Sequence, residues 1–276
     1  MARIVVSFWL QLELMSILVI ALTVWFDKGV AVSREDYSQN QSVPIYSLLQ
    51  NNKSPDIQKI AQLTTVRILT PRSSGSGVIV ARQGQIYSVL TNWHVVGFAD
   101  SHTIMTVDGQ QYMPISQNLR QLDFYDLAIT QFRSTTSYEV AKISREFMIV
   151  GDQVWASGFP IYQDETLITT FDKGVDAFRL TSGEVTLLPP KSMAMGYRLG
   201  YTNEIVEGMS GGPIFNAKGL LIGINGRLKY GEPAFGIYEF EDGTQPSTEL
   251  LEKMVDSSWG IPITTYLQFV SHEEVQ

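Results

Sequence analysis

The 276-residue sequence contains no cysteine. That excludes a disulfide framework, thiol catalysis and cysteine-ligated metal. Histidine is nearly as scarce. His94, His102 and His272 lie far apart and form no H-E-x-x-H pair, so a histidine-based zinc site has no ligand set to build on. Charge is low at 17%, and acids outnumber bases 28 to 20, for a net charge of −8. No basic stripe occurs, so the counterion release that drives nucleic-acid binding has little to act on, and neither DNA nor RNA is expected as a partner. There is no solenoid-type repeat.

One apolar run is present, at the front. Arg3 precedes Ile4–Phe26, in which Glu13 is the sole charge. As a helix this run would span roughly 34 Å, enough for a bilayer core. An acid at the centre of a span costs about 2.5–3.5 kcal/mol. Read from Leu14 to Phe26 instead, the run fits the apolar region of a secretory signal, with small residues at Ala31-Val32-Ser33 for cleavage. Residues 1–33 therefore read as a signal peptide or a membrane anchor. Both readings place the bulk of the chain outside the cytoplasm, periplasmic or extracellular, and any membrane contact would run through residues 4–26.

A polar linker follows. Ser54-Pro55-Asp56 reads as a helix start, with a capping hydroxyl at Ser54 and an apolar side made by Ile57, Ile60 and Ala61. From residue 65 the pattern becomes short Val-, Ile-, Thr- and Tyr-rich segments between turn residues, among them Val66–Leu69, Gly77–Ala81, Ile86–Leu90, Leu127–Phe132, Leu167–Phe171, Leu220–Ile224 and Phe235–Phe240. This is an all-β signature. Helical periodicity returns only near the end, where Ser247 can cap a helix through Leu250, Leu251 and Met254.

Three segments carry chemistry: Thr91-Asn92-Trp93-His94-Val95-Val96, Tyr125-Asp126-Leu127-Ala128-Ile129, and Gly208-Met209-Ser210-Gly211-Gly212-Pro213. A serine among glycines suits a turn whose backbone N–H groups converge on a developing oxyanion, here those of Gly208 and Ser210. Such a serine needs a base, and the base needs a group that fixes its tautomer. His94 is the candidate base and Asp126 the candidate orienter. Asp123 is a competing acid, but the apolar residues after Asp126 favour the latter. His102 and His272 read as surface residues.

These three motifs resemble the catalytic motifs of the chymotrypsin/trypsin superfamily of serine proteases. They are most similar to the short bacterial members typified by the HtrA protease domain. Gly75-Ser76-Gly77-Val78-Ile79-Val80 and Leu221-Ile222-Gly223-Ile224-Asn225 resemble strands that precede the histidine and follow the serine in that type. The resemblance covers about residues 64–240. It implies an all-β fold of two antiparallel six-stranded β-barrels with the site between them. The barrels would occupy residues 64–145 and 146–245, preceded by a linker and short helix at 34–63 and followed by a helical extension at 246–276. It implies a serine endopeptidase working through His94, Asp126 and Ser210 and an acyl-enzyme, on protein or peptide substrates, with no cofactor and no metal.

Two departures stand out. Where trypsin-like zymogens carry an aspartate before the serine, this chain has Met209, which cannot pair with a freed N-terminus, so other contacts must order the oxyanion turn. The stretch after Ser210 still reads as strands, and a PDZ domain does not fit behind it. In the superfamily, the position six before the nucleophile often lies at the base of the specificity pocket. Here it is Glu204, which would favour Lys or Arg on the acyl side. Glu207 is a second candidate charge, Arg227 could neutralise either, and Gly226 and Gly236 fall where the family lines its pocket walls. The alternative function is a protease-like binding module without activity. The G-x-S-x-G elbow of α/β-hydrolases is a poorer match, because that fold places its acid and histidine after the serine.

Overall fold

The structure, a computed structural model, describes residues 55–163, 166–230 and 237–270. The signal or anchor at 1–33, the polar linker, Ser54, Gly236 and His272 lie outside the described residues. Within them, no helix is long and apolar enough to cross a membrane.

The described residues open with α1 (Ile57–Thr64). Its cap is Asp56 and not Ser54: the Asp56 carboxylate accepts the Lys59 N–H at 3.0 Å. The helix thus begins two residues later than a Ser54 cap would place it, and a carboxylate serves a helix N-terminus as well as a hydroxyl does. Ala61 on the apolar side of this helix is buried.

Seven strands then form one antiparallel sheet: β1 (Thr65–Leu69), β2 (Ser74–Gln83), β3 (Ile86–Thr91), β4 (Thr103–Met105), β5 (Gln111–Tyr112), β6 (Arg120–Gln121) and β7 (Ala128–Arg133), in the order β5-β4-β1-β2-β3-β7-β6. This sheet is half a barrel. Its edge strands β5 and β6 are two residues each and do not pair with one another. Tyr87 stacks on Phe132 with ring centroids 5.1 Å apart, and Tyr112 and Tyr138 complete an aromatic core. His102 is buried here, with Nε2 2.9 Å from Thr130 Oγ1, in place of the surface position expected from the sequence. It lies one residue before β4, where the strand's inward face already begins.

The second half is a closed six-stranded barrel. Its strands are β8 (Gln153–Gly158), β9 (Arg179–Leu187), β10 (Leu199–Tyr201), β11 (Pro213–Asn216), β12 (Leu221–Arg227) and β13 (Ser258–Pro262), closing as β10-β13-β12-β11-β8-β9. The last strand comes from the stretch expected to be a helical extension. That stretch is instead helix, strand, helix: α2 (Thr248–Val255), β13, then α3 (Ile263–Leu267). All five residues of β13 are buried, and the Trp259 indole N–H donates to the Met254 carbonyl at 2.9 Å. A short apolar run of this length reads equally well as strand or buried helix, and the open place between β10 and β12 decides it. Ser247 caps α2 as its sequence suggests, accepting from the Leu250 N–H.

Two expected strands do not form. Residues 167–171 make only the single bridge Tyr162–Thr169, and Leu167 and Ile168 face solvent. The described part of 235–240 makes only the bridge Met193–Phe240. Apolar composition marked both segments as strands, but strand propensity depends on tertiary context and is overridden here.

Register positions the site. In the β3–β7 pair Thr91 faces Ala128, so the residues just after β3 and just before β7 emerge at the same end of the sheet. These are the segments that carry His94 and Asp126.

Candidate active site

His94 sits on a single helical turn, Trp93–Val96, directly after β3. Its backbone N–H donates to Asp126 Oδ1 at 2.8 Å, and its Nδ1 lies 2.6 Å from Asp126 Oδ2. The imidazole is 41% exposed and the carboxylate 4%, so the acid is sequestered while the imidazole keeps solvent access. Asn92 Nδ2 donates to the Asp126 carbonyl at 2.8 Å, and the Asp126 N–H donates to the Met195 carbonyl at 3.0 Å. The main chain at Asp126 is therefore held from both halves of the molecule. A further donor to Oδ2 is the hydroxyl of Tyr197. Asp123, the competing acid, is exposed in a turn with φ 53°.

Ser210 lies on the turn before β11. Its carbonyl accepts the Ser76 N–H from β2 at 2.8 Å. The next residue, Gly211, has φ +84°, and a Cβ there would stand 2.2 Å from Thr91 Oγ1 and 3.1 Å from the Asn92 nitrogen. Only glycine allows this approach, which brings the serine turn against the residues that lead into His94. Ser210 Oγ donates to the Gly226 carbonyl at 3.5 Å, a long contact that leaves His94 Nε2 free. Among the described residues no hydrogen bond joins Ser210 Oγ to His94; nucleophile–base bonds are commonly long or misaligned before substrate arrives.

The turn around Gly208 and Ser210 is oriented by contacts the sequence did not disclose. The Ile161 N–H donates to the Glu207 carbonyl at 2.8 Å. In a planar trans peptide the N–H points opposite to the carbonyl, so the Gly208 N–H faces the other way. The Gly208 carbonyl accepts from Ser76 Oγ at 2.7 Å, and Ser76 Oγ accepts the Phe159 N–H at 2.8 Å. Among the described residues, the N–H groups of Gly208 and Ser210 donate to nothing. Met209 takes no part in an ion pair; it is fully buried as an apolar anchor.

Arg67 supports this arrangement from β1. Its guanidinium is fully buried and donates to the Thr170 carbonyl at 2.9 Å, Thr170 Oγ1 at 2.9 Å, the Gly174 carbonyl at 2.8 Å and Ser74 Oγ at 3.2 Å. Thr170 in turn donates through its N–H to the Ile161 carbonyl and through Oγ1 to the Pro160 carbonyl. Burial draws the guanidinium below its usual range, and Asp172 draws it back up. An arginine amid the apolar Thr-Val-Arg-Ile-Leu strand was the one sequence signal that could have marked it, since a buried charge must have partners.

A trypsin-like peptidase domain matches residues 75–224, more than half of the chain. The chain belongs to the trypsin-like peptidase family. Within that family it is 29% identical over 189 residues to serine endoprotease DegS of Escherichia coli K12, covering 67% of this chain and 49% of DegS. It is 29% identical over 163 residues to the serine protease Do-like HtrA of Bacillus subtilis, covering 56% of this chain and 34% of that protein. The chain thus spans half or less of the length of these curated relatives. The crystal structure of the serine endoprotease from Yersinia pestis shares the fold, with a TM-score of 0.53 and 22% identity over 77% of this chain and 63% of that one.

In this trypsin-like peptidase the residues that the sequence tied to specificity, Gly236 aside, have the following surroundings. Glu204 is exposed and lies 2.9 Å from Lys229 Nζ, so its charge is already countered. Glu207 is also exposed. Arg227 neutralises neither. It donates to the Ile237 carbonyl at 2.6 Å and the Ala194 carbonyl at 3.1 Å, and its guanidinium lies 4.0 Å from the Tyr197 ring centroid. Gly226 packs against Tyr197.

Proposed function

We propose that this trypsin-like peptidase is a serine endopeptidase acting on protein or peptide substrates. The observation that carries the reading is the pair of bonds from His94, backbone N–H and Nδ1, to the buried Asp126 carboxylate. With Nδ1–H engaged there, Nε2 presents its lone pair to the cleft, which is the tautomer a general base needs. Ser210 Oγ attacks the peptide carbonyl as His94 takes its proton. Asp126 stabilises the imidazolium, and the free Gly208 and Ser210 N–H groups receive the oxyanion. His94 then protonates the leaving amine, and water releases the acyl-enzyme by the reverse sequence. None of these steps draws on a metal or cofactor.

A Lys/Arg preference through Glu204 has the Glu204–Lys229 ion pair against it, and the proposal does not include it. Export through residues 1–33, as signal or anchor, remains part of the reading on the strength of Arg3, the apolar run and Asp27.

The test treats the full chain, wild type beside Ser210→Ala, with a fluorescent phosphonate probe and a mixed peptide library at pH 8. Labelling and cleavage that disappear in the variant support the reading. No labelling of a folded wild type would overturn it in favour of a protease-like binding module.

A further inference from the structure

We propose that Tyr197 is a positioning residue for His94: its phenol, supplied by the second barrel, holds the Asp126 carboxylate in the orientation from which that carboxylate aligns the imidazole. This rests on the roles given to His94, Asp126 and Ser210 above. It adds a group that touches neither substrate nor reacting atoms.

The Asp126 carboxylate is nearly inaccessible to water, so its lone pairs must be met by protein donors. Three donors meet it. Two of them, the N–H and Nδ1, belong to His94, the very residue the carboxylate is to orient. A carboxylate tied only to His94 could swing with it. Tyr197 Oη is the independent tie, and it approaches Oδ2, the same oxygen that Nδ1 uses.

The surroundings are shaped to hold the phenol there. At Gly226 a Cβ would stand 2.2 Å from Tyr197 Oη and 2.5 Å from its ring carbon, so any other residue would push the tyrosine off the carboxylate. Arg227 covers the ring and is itself pinned by two carbonyls. The turn before Tyr197 carries Met195 at φ 66°, a strained conformation for a non-glycine residue, and it is Met195 whose carbonyl receives the Asp126 N–H. Ring, backbone and strain converge on one acid.

The charged and titratable groups around the carboxylate are His94 after β3, Tyr197 before β10 and Arg227 at the end of β12, with Tyr201 behind Tyr197. Burial, and then the negative Asp126, push the Tyr197 phenol well above its ordinary value, so it remains a donor at every working pH.

The experiment compares the full-length wild type with Tyr197→Phe, which keeps the ring under Arg227 and removes only the oxygen. The readouts are kcat/KM against pH, thermal unfolding, and the low-field proton resonance of the His94 Nδ1–H. Losing a hydrogen bond to a charged group lowers kcat/KM by roughly ten- to a hundred-fold. The phenol withdraws charge from Oδ2. Without it the carboxylate favours the imidazolium more strongly, so the acid limb of the profile moves to higher pH and the low-field resonance shifts. A purely packing role would leave both unmoved. A folded Tyr197→Phe with the wild-type acid limb, resonance and rate overturns the proposal. If Tyr197→Phe does not fold, site-specific 3-fluorotyrosine at 197 decides: the stronger donor moves the limb to lower pH, and an unmoved limb overturns the proposal. His94→Ala and Asp126→Asn run alongside. Full activity in those two sinks the underlying catalytic reading, whereas their loss with an unaltered Tyr197→Phe sinks this inference alone.

Discussion

Ser76 and Gly208 lie 132 residues apart in the chain, yet the Ser76 hydroxyl donates to the Gly208 carbonyl at 2.7 Å. The same hydroxyl accepts the Phe159 N–H, and the Ser76 N–H donates to the Ser210 carbonyl. One small residue of the first sheet thus grips the serine turn of the second barrel at two points. With Met209 where an ion-pairing acid would otherwise stand, this grip and the Ile161–Glu207 bond hold the peptides around the Gly208 and Ser210 N–H groups that we propose receive the oxyanion.

Ser76→Ala strips the Gly208 carbonyl and the Phe159 N–H of their shared partner. Each buried group left unpaired costs about 1–3 kcal/mol. Removing an oxyanion donor outright costs roughly a hundred- to a thousand-fold in kcat, and a misaimed one costs less. We expect kcat to fall by about ten-fold or more with KM little changed, and the denaturation midpoint to drop. Steady-state kinetics beside urea unfolding check this, and unchanged kcat in the folded variant would refute it.

Arg67 holds Thr170, which donates to the Pro160 and Ile161 carbonyls, and the Ile161 N–H fixes the Glu207–Gly208 peptide. Arg67→Met leaves the Thr170 and Gly174 carbonyls without their donor, an expected loss of about 2–4 kcal/mol in unfolding free energy. Phosphonate labelling slows as well. Arg67→Lys does not rescue it, because an ammonium cannot serve acceptors arranged around a planar guanidinium. Wild-type labelling by a folded Arg67→Met would show that the relay does not reach the turn.

Glu204 is exposed and paired with Lys229. An ion pair of this kind contributes less than about 1 kcal/mol. Glu204→Gln should leave both stability and the pattern of cleaved bonds as they are. Library profiling of the two proteins side by side is the measurement, and a selective loss of cleavage after Lys and Arg would restore Glu204 to the pocket.

His102 supplies a pH dependence unrelated to catalysis. Burial draws its imidazole below the ordinary value of 6.5. The unfolded chain then takes up a proton near pH 6.5 that the folded state refuses, so stability is full above that value and declines as pH falls below it. We expect the Tm to fall as the pH drops below about 6.5 and His102→Gln to flatten that part of the curve. A Tm profile that is the same in both proteins would rule the residue out as the cause.

Local pattern carried much of this molecule. Alternating β-branched segments announced a mostly β fold, Ser247 announced α2, and the motifs around His94, Asp126 and Ser210 singled out three residues whose segments the β3–β7 register and the Gly211 contact bring together. Those signals are local: side-chain period, turn chemistry, and the glycines a tight backbone requires. Tertiary structure alone decided that Ser258–Pro262 completes the barrel, that Glu204 meets Lys229, that Arg67 reaches Thr170, and that Tyr197 reaches across the interface to Asp126. The physical reason is the same in each case. A buried charge, an exposed acid or an open sheet edge meets whichever residue the packing sets beside it, within the barrel for Glu204 and Ser258–Pro262 and across the two halves for Arg67 and Tyr197, and in every case that residue lies outside the short windows that local pattern covers.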